Sequence, residues 1–144
     1  MMTPELTEEQ RRRVEAARDA VPFLKTLGVE VESVGPGTAT LLVHCREELM
    51  RNDGILHGGV AASLIDSAFA FAIIPTLAEG ERTVTVDMTI HYLRPLSGGV
   101  VKASARIVRA GRRVITVSAD LFDENDKLAA TALSTYLRVL AHSR

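Results

Sequence analysis

The sequence is short of several things, and each shortage closes off a class of protein. There is one cysteine, Cys45, in 144 residues. No intrachain disulfide framework is possible, and a reducing compartment suits the chain. Neither sign of charge dominates, with 17 Lys and Arg against 18 Asp and Glu for a net charge of -1. No broad positive field is available for nucleic acid. The opening residues, MMTPELTEEQRRR, hold no apolar core of a secretory leader, so the expected location is the cytoplasm. Histidine and cysteine never cluster at metal-ligand spacing, and no metal or separate cofactor is expected. The GxSxG elbow of serine hydrolases and the GxxxxGK phosphate loop are both missing.

What is present is ordinary in amount, 47% apolar and 24% charged residues, and suits one soluble domain with a sizeable core. One apolar run raises a membrane question: residues 58–78, GGVAASLIDSAFAFAIIPTLA. Asp66 near its centre would cost about 2.5–3.5 kcal/mol in a bilayer, and Pro75 interrupts it. Amphipathic strands fill much of the remaining chain. The run therefore reads as a helix wrapped on most sides by the rest of a soluble protein.

Thr3-Pro4-Glu5 and Thr7-Glu8-Glu9-Gln10 both have the form of a helix start, the second as a capping box. A polar helix to about Ala20 is predicted, with Leu6, Val14 and Ala17 as a thin apolar stripe. Val21–Lys25 reads as a short second turn closed by Gly28. A strand follows through Val29, Val31 and, after a break, Val34. Gly35-Pro36-Gly37 turns the chain into a second strand, Thr38–Cys45. The central helix is expected from about Gly58 to Leu77. Thr83–Tyr92 then alternates with period two, Val84, Val86, Met88, Ile90 and Tyr92 on one face and Thr83, Thr85, Asp87, Thr89 and His91 on the other. Three more strands follow, over Val100–Arg109, Arg112–Phe122 and Leu128–Leu140, joined by tight polar turns. The predicted fold class is α+β: a helical extension over residues 1–22, then one domain over 23–140 in which an antiparallel sheet of about six strands curls around the long helix.

The run Gly54-x-x-His57-Gly58-Gly59, with Asp66 and the small apolar Ser67-Ala68-Phe69-Ala70 behind it, resembles the PaaI-type acyl-CoA thioesterases of the hotdog-fold superfamily. Thr85-Val86-Asp87-Met88, Tyr92-Leu93-Arg94-Pro95 and Gly111-Arg112-Arg113-Val114 extend the likeness over roughly residues 23–139. The resemblance implies a sheet wrapped around a central helix, two subunits paired edge to edge as a dimer or a dimer of dimers, and hydrolysis of acyl-coenzyme A. It implies Asp66 as general base or nucleophile and the Gly58 N–H as the group that polarises the thioester carbonyl. His57 lies beside that glycine, and Thr85 matches a hydroxyl that helps hold the attacking water. One position departs from the pattern. Relatives often carry asparagine six residues before the histidine, where this chain has Arg51, and Asn52 stands one residue late.

The chemistry supports these roles. Thioester hydrolysis needs donors for the oxygen that becomes negative and a base or nucleophile on the carbonyl side. A helix start offers free N–H groups and partial positive charge, and Gly58-Gly59 lets a carbonyl come close to the backbone. Arg94, Arg112 and Arg113 are candidates for coenzyme A phosphates, which arginine suits. Eight residues separate Gly58 from Asp66, about 12 Å along one helix, and His57 and Asp66 fall on opposite faces. One helix cannot grip one carbonyl with both groups, so the spacing argues for a site shared by two chains. Two other readings stand beside this one. In a non-catalytic acyl-CoA-binding module, Asp66 would do structural work by bonding a backbone N–H, Ser63 or Ser67. A hotdog dehydratase or hydratase would need a histidine and an acid close together. Phe69, Phe71, Ile73 and Met88 read first as core, and His44, His91 and His142 as surface or edge residues.

Overall fold

A computed structural model describes residues 5–140 of the chain; Thr3-Pro4 of the first helix start and His142 lie outside the described residues. Helix α1 (Glu8–Ala20) opens with the capping box, Thr7 accepting from the Gln10 N–H while the Gln10 side chain accepts from the Thr7 N–H. Helix α2 (Pro22–Leu27) starts on proline, whose missing N–H costs nothing there, and ends at Gly28 in the left-handed region. Strands β1 (Glu30–Gly35) and β2 (Thr38–His44) form a hairpin, and a short 3-10 turn occupies Glu47–Leu49. Helix α3 (Gly58–Ile73) comes next, followed by β3 (Glu81–Tyr92), β4 (Val100–Ala110), β5 (Val114–Phe122) and β6 (Leu128–Leu140).

The six strands make one antiparallel sheet in the order β1-β2-β4-β5-β6-β3, curled around α3. Leu64, Ile65, Ala68, Phe69, Ala72 and Ile73 of the helix are fully buried against Leu41, Val101, Ile115, Val117 and Leu121 of the sheet. Removing so much apolar surface from water is the main term that holds the domain together. Gly58–Thr76 has the length and apolarity of a membrane span, but the sheet uses that apolarity. This is the hotdog arrangement that the resemblance implies. Helix α1 docks on the far end of α3: the Gln10 side-chain amide donates to the Pro75 carbonyl at 2.8 Å, Arg13 donates to the Leu77 carbonyl, and Val14 joins the core.

Two sequence expectations are corrected here. The central helix gives way after Ile73 to a 3-10 turn over Ile74–Thr76 rather than running to Leu77, because Pro75 has no N–H and its ring excludes a further α-turn. The even alternation across Thr83–Tyr92 is also broken. Thr85 pairs with Tyr136 but Asp87 pairs with Thr135, so Val86 bulges out of register. A bulge exchanges the faces of a strand. Met88 and Ile90 face the helix on one side of it and Thr83 and Thr85 on the other, while Val84 and Val86 are left exposed. Asp87 secures the bulge: its carboxylate accepts the Thr135 N–H at 3.0 Å, and the Ser134 hydroxyl donates to its carbonyl at 2.6 Å.

Candidate active site

The first polar station lies where α3 begins. His57 is the N-cap, and its Nδ1 accepts from the Gly59 N–H at 2.9 Å. That bond places the proton of the neutral ring on Nε2. The His57 carbonyl accepts from the N–H groups of Val60 and Ala61. Among the described residues, the Gly58 N–H alone of this first turn is left without an acceptor. Tyr92, at the end of β3, donates its hydroxyl to the Gly58 carbonyl at 2.9 Å and so ties the helix start to the sheet. A cavity of about 630 Å³ opens here between Gly58, Gly59 and the chain turn after β3, with Ile55, Leu56, Leu93 and Leu96 as apolar walls and Arg51 and Arg94 beside them.

The second station is two turns further along α3. Asp66 is half-buried, and two hydroxyls reach its carboxylate: Tyr136 of β6 donates to Oδ1 at 2.5 Å, and Thr85 of β3 donates to the same oxygen at 3.2 Å. The Tyr136 hydroxyl is also 3.1 Å from the Asp66 carbonyl oxygen. Thr85 can do this only because the bulge at Val86 turns it inward. Burial, followed by the hydrogen bond to Asp66, holds the Tyr136 phenol far above its ordinary range, with Thr85 opposing. The Ser63 and Ser67 hydroxyls, read from the sequence as possible partners of Asp66, instead donate to the carbonyls of Gly59 and Ser63.

The structure thus gathers the expected residues into two groups. His57, Gly58 and Gly59 stand together, as do Asp66 and Thr85, and about 12 Å of helix separates the groups. Tyr92 and Tyr136 complete them, and neither role was read from the sequence. The signal for Tyr136 is the strand register Thr85–Tyr136, which depends on a bulge that no local pattern announces. His57 and Asp66 share no hydrogen bond, since each has other partners.

The remaining candidates are dispersed. Asn52 is exposed in the turn before α3, outside the cavity lining, whereas Arg51 lines the cavity and pairs with Asp53 at 2.6 Å. Arg94 lies at the Gly58 end of the sheet, 4.0 Å from Asp123. Arg112 and Arg113 are at the opposite end, in the β4–β5 turn, where with Arg109 they border a separate cleft. Arg109 is an addition to the sequence reading. That end also carries Arg138, which is paired with Glu81 at 3.0 Å. Among the described residues, no three His, Cys, Asp or Glu side chains come together as a metal site.

A sheet curled around an apolar helix, with the polar groups of interest carried by that helix, defines a hotdog-fold protein. Residues 53–130 match the thioesterase superfamily. The medium/long-chain acyl-CoA thioesterase YigI of Salmonella typhimurium is 31% identical over 132 residues, covering 81% of this chain and 85% of that one. Among solved structures, a mutant of the phenylacetic acid degradation protein PaaI from Thermus thermophilus is 32% identical with a TM-score of 0.77, covering 83% of this chain and 100% of that one. A thioesterase family protein from Silicibacter pomeroyi shares the fold at 23% identity, with a TM-score of 0.87 over 92% of this chain and 99% of that one. The chain belongs to the thioesterase superfamily. Within it the protein is of the PaaI-like type and is a thioester hydrolase.

Proposed function

We propose that the protein hydrolyses acyl-coenzyme A to the free acid and coenzyme A, at a site built from two chains. One observation carries the reading: the free Gly58 N–H and the Asp66 carboxylate are the two groups that hydrolysis needs, yet they stand too far apart on one helix to meet one carbonyl. The Gly58 N–H of one chain receives the thioester oxygen as it becomes negative. Asp66 of the second chain takes a proton from water, or attacks the carbonyl carbon itself. In the first case the water oxygen bonds the carbonyl carbon, the C–S bond breaks, and the departing thiolate takes the proton that Asp66 held. In the second an acyl–Asp66 anhydride forms as the thiolate leaves. Water then cleaves it, freeing the acid and Asp66 and supplying the proton for the thiolate. An oxyanion donor of this kind contributes roughly 10²–10³ in rate.

The sheet edge supports the pairing. Strand β3 has 12 residues and, among the described residues, one strand beside it, and a long open edge is a template for another strand. Two β3 strands joined antiparallel about a twofold axis set the start of one beside the end of the other. The end of β3 carries Tyr92 and Gly58, with Arg94 just beyond. Its start carries Glu81, paired with Arg138, whose N–H donates to the Arg113 carbonyl. Arg94 of one chain and Arg112 and Arg113 of the other therefore flank the same cleft, placed for the phosphates of coenzyme A.

The test is Asp66→Asn with a panel of acyl-CoAs of increasing chain length, followed by release of free thiol. The substitution keeps shape and removes the base. The fold survives, and kcat falls by at least about 10²–10⁴-fold with KM little changed. Activity near that of the unaltered protein, or a lowered melting temperature with turnover per folded molecule preserved, assigns Asp66 to structure and favours a binding module.

A further inference from the structure

Tyr136 is only 3% exposed, although its hydroxyl meets a carboxylate. Its ring packs edge-on against Phe69, centroids 6.2 Å apart and planes at 73°. On the strand it stands between Ile115 and Thr85. The ring is thus fixed on several sides, and so is the direction in which its O–H points. Both hydroxyls that reach the Asp66 carboxylate, those of Tyr136 and Thr85, land on Oδ1. Among the described residues, Oδ2 receives no hydrogen bond.

We propose that Tyr136 is a positioning residue for hydrolysis: together with Thr85 it pins Oδ1 of Asp66 and so commits Oδ2 to the attacking water or the thioester carbon. The proposal rests on the reading of Asp66 as the working carboxylate. A carboxylate on a short side chain rotates between two equivalent oxygens unless something distinguishes them. Two donors on one oxygen make that distinction and fix the plane of the group. Near-attack geometry is sensitive to such control, since a displacement of about 1 Å can cost on the order of 10²-fold. The phenol acts as a donor and not as a proton carrier, because burial and the neighbouring carboxylate both oppose its ionisation.

The experiment is a double-mutant cycle with Tyr136→Phe, Asp66→Asn and the pair together, measured by thiol release from a saturating fatty acyl-CoA, with melting temperatures recorded for each. Tyr136→Phe keeps the ring and its contact with Phe69 and removes only the donor. Losing one hydrogen bond to a charged group lowers kcat about 10–100-fold, and KM stays within about twofold. In the Asp66→Asn background the same change produces no further loss, because a residue that works through Asp66 has nothing left to position. Thr85→Val, which removes the other donor to Oδ1, follows the same pattern and serves as the second variant if Tyr136→Phe folds poorly.

Three outcomes overturn the proposal. If Asp66→Asn abolishes turnover while Tyr136→Phe leaves kcat intact, positioning fails and the reading of Asp66 stands. If Tyr136→Phe lowers activity equally in both backgrounds, its role is structural. If Asp66→Asn alone remains active, the underlying reading falls and the proposal falls with it.

Discussion

The two stations on α3 are alike in construction and opposite in character. The sequence contains two tyrosines, and each sends its hydroxyl from the sheet to one station: Tyr92 to the Gly58 carbonyl and Tyr136 to the Asp66 carboxylate. At the Gly58 station the tyrosine is exposed, the adjoining cavity is open, and the group on offer is a donor. At the Asp66 station the tyrosine is buried, and the group on offer is an acceptor with one oxygen already engaged. In the proposed reading the start of the helix receives a substrate oxygen and its middle holds a reagent still. On that reading each is half of a hydrolytic site, and about 12 Å of helix keeps the halves of one chain apart.

The sharpest way to break this comparison is to disable one station per chain and then mix the chains. Gly58→Val fills the approach to the N–H and is expected to lose about 10²–10³-fold in turnover. Asp66→Asn chains are expected to lose about 10²–10⁴-fold. A mixed dimer of the two rebuilds one intact site from the good Gly58 of one chain and the good Asp66 of the other. Random exchange then restores about a quarter of the sites, as half of the dimers are mixed and each has one working site of two. No recovery after refolding the chains together, with dimers confirmed by light scattering, would show that each chain carries its own site.

A smaller effect is expected at the arginines, and it tests whether opposite ends of two sheets flank one cleft. Arg112→Ala with Arg113→Ala raises KM for acyl-CoA by about 10-fold and leaves kcat nearly unchanged. A short thioester lacking the nucleotide shows no such change. The KM difference narrows in high salt, since these side chains are exposed and their attraction for phosphate is screened. Arg94→Ala, at the Gly58 end, shifts KM in the same direction if both ends meet the same ligand. An effect from Arg94 alone would separate the two ends.

The sequence made the first station far easier to read than the second. Gly58-Gly59 after His57 is a local signal, since a helix start with glycines and a capping side chain can be recognised within three residues. The order of elements was legible for the same reason, as each strand and helix announces itself by its own period and its own turns. Asp66 was conspicuous as the one charge in an apolar helix, but its partners lie 19 and 70 residues away. Thr85 reads as a solvent-facing threonine until the Val86 bulge reverses the strand, and Tyr136 reads as one more apolar residue of β6. The bulge itself depends on Asp87 and Ser134, which meet across two strands. Contacts of this kind belong to the assembled sheet and have no period of their own.

The smallest expected effect separates the two glycines of the first station. A Cβ at position 58 would stand 3.5 Å from the Tyr92 ring, an ordinary contact, whereas one at position 59 would stand 3.0 Å from His57 Nδ1 and 3.2 Å from its Cε1. Gly58→Ala therefore folds without rearrangement and gains up to about 1 kcal/mol from the better helix propensity of alanine. Gly59→Ala gains the same propensity but must turn the imidazole away, weakening the cap, and loss of an N-cap costs about 0.5–2 kcal/mol. Gly59→Ala should accordingly melt a few degrees below Gly58→Ala, at roughly 2–4 °C per kcal/mol for a chain of this size. Activity should rank them the other way, because a methyl at position 58 narrows the approach to the free N–H while one at position 59 stands behind the cap. The ordering also identifies the cause: in a His57→Ala background the melting difference between the two alanines should shrink, since the ring that distinguishes them is gone. Equal melting temperatures with His57 present would mean that its ring does not cap the helix, and the Gly59 N–H would then be a second free donor at this station beside that of Gly58.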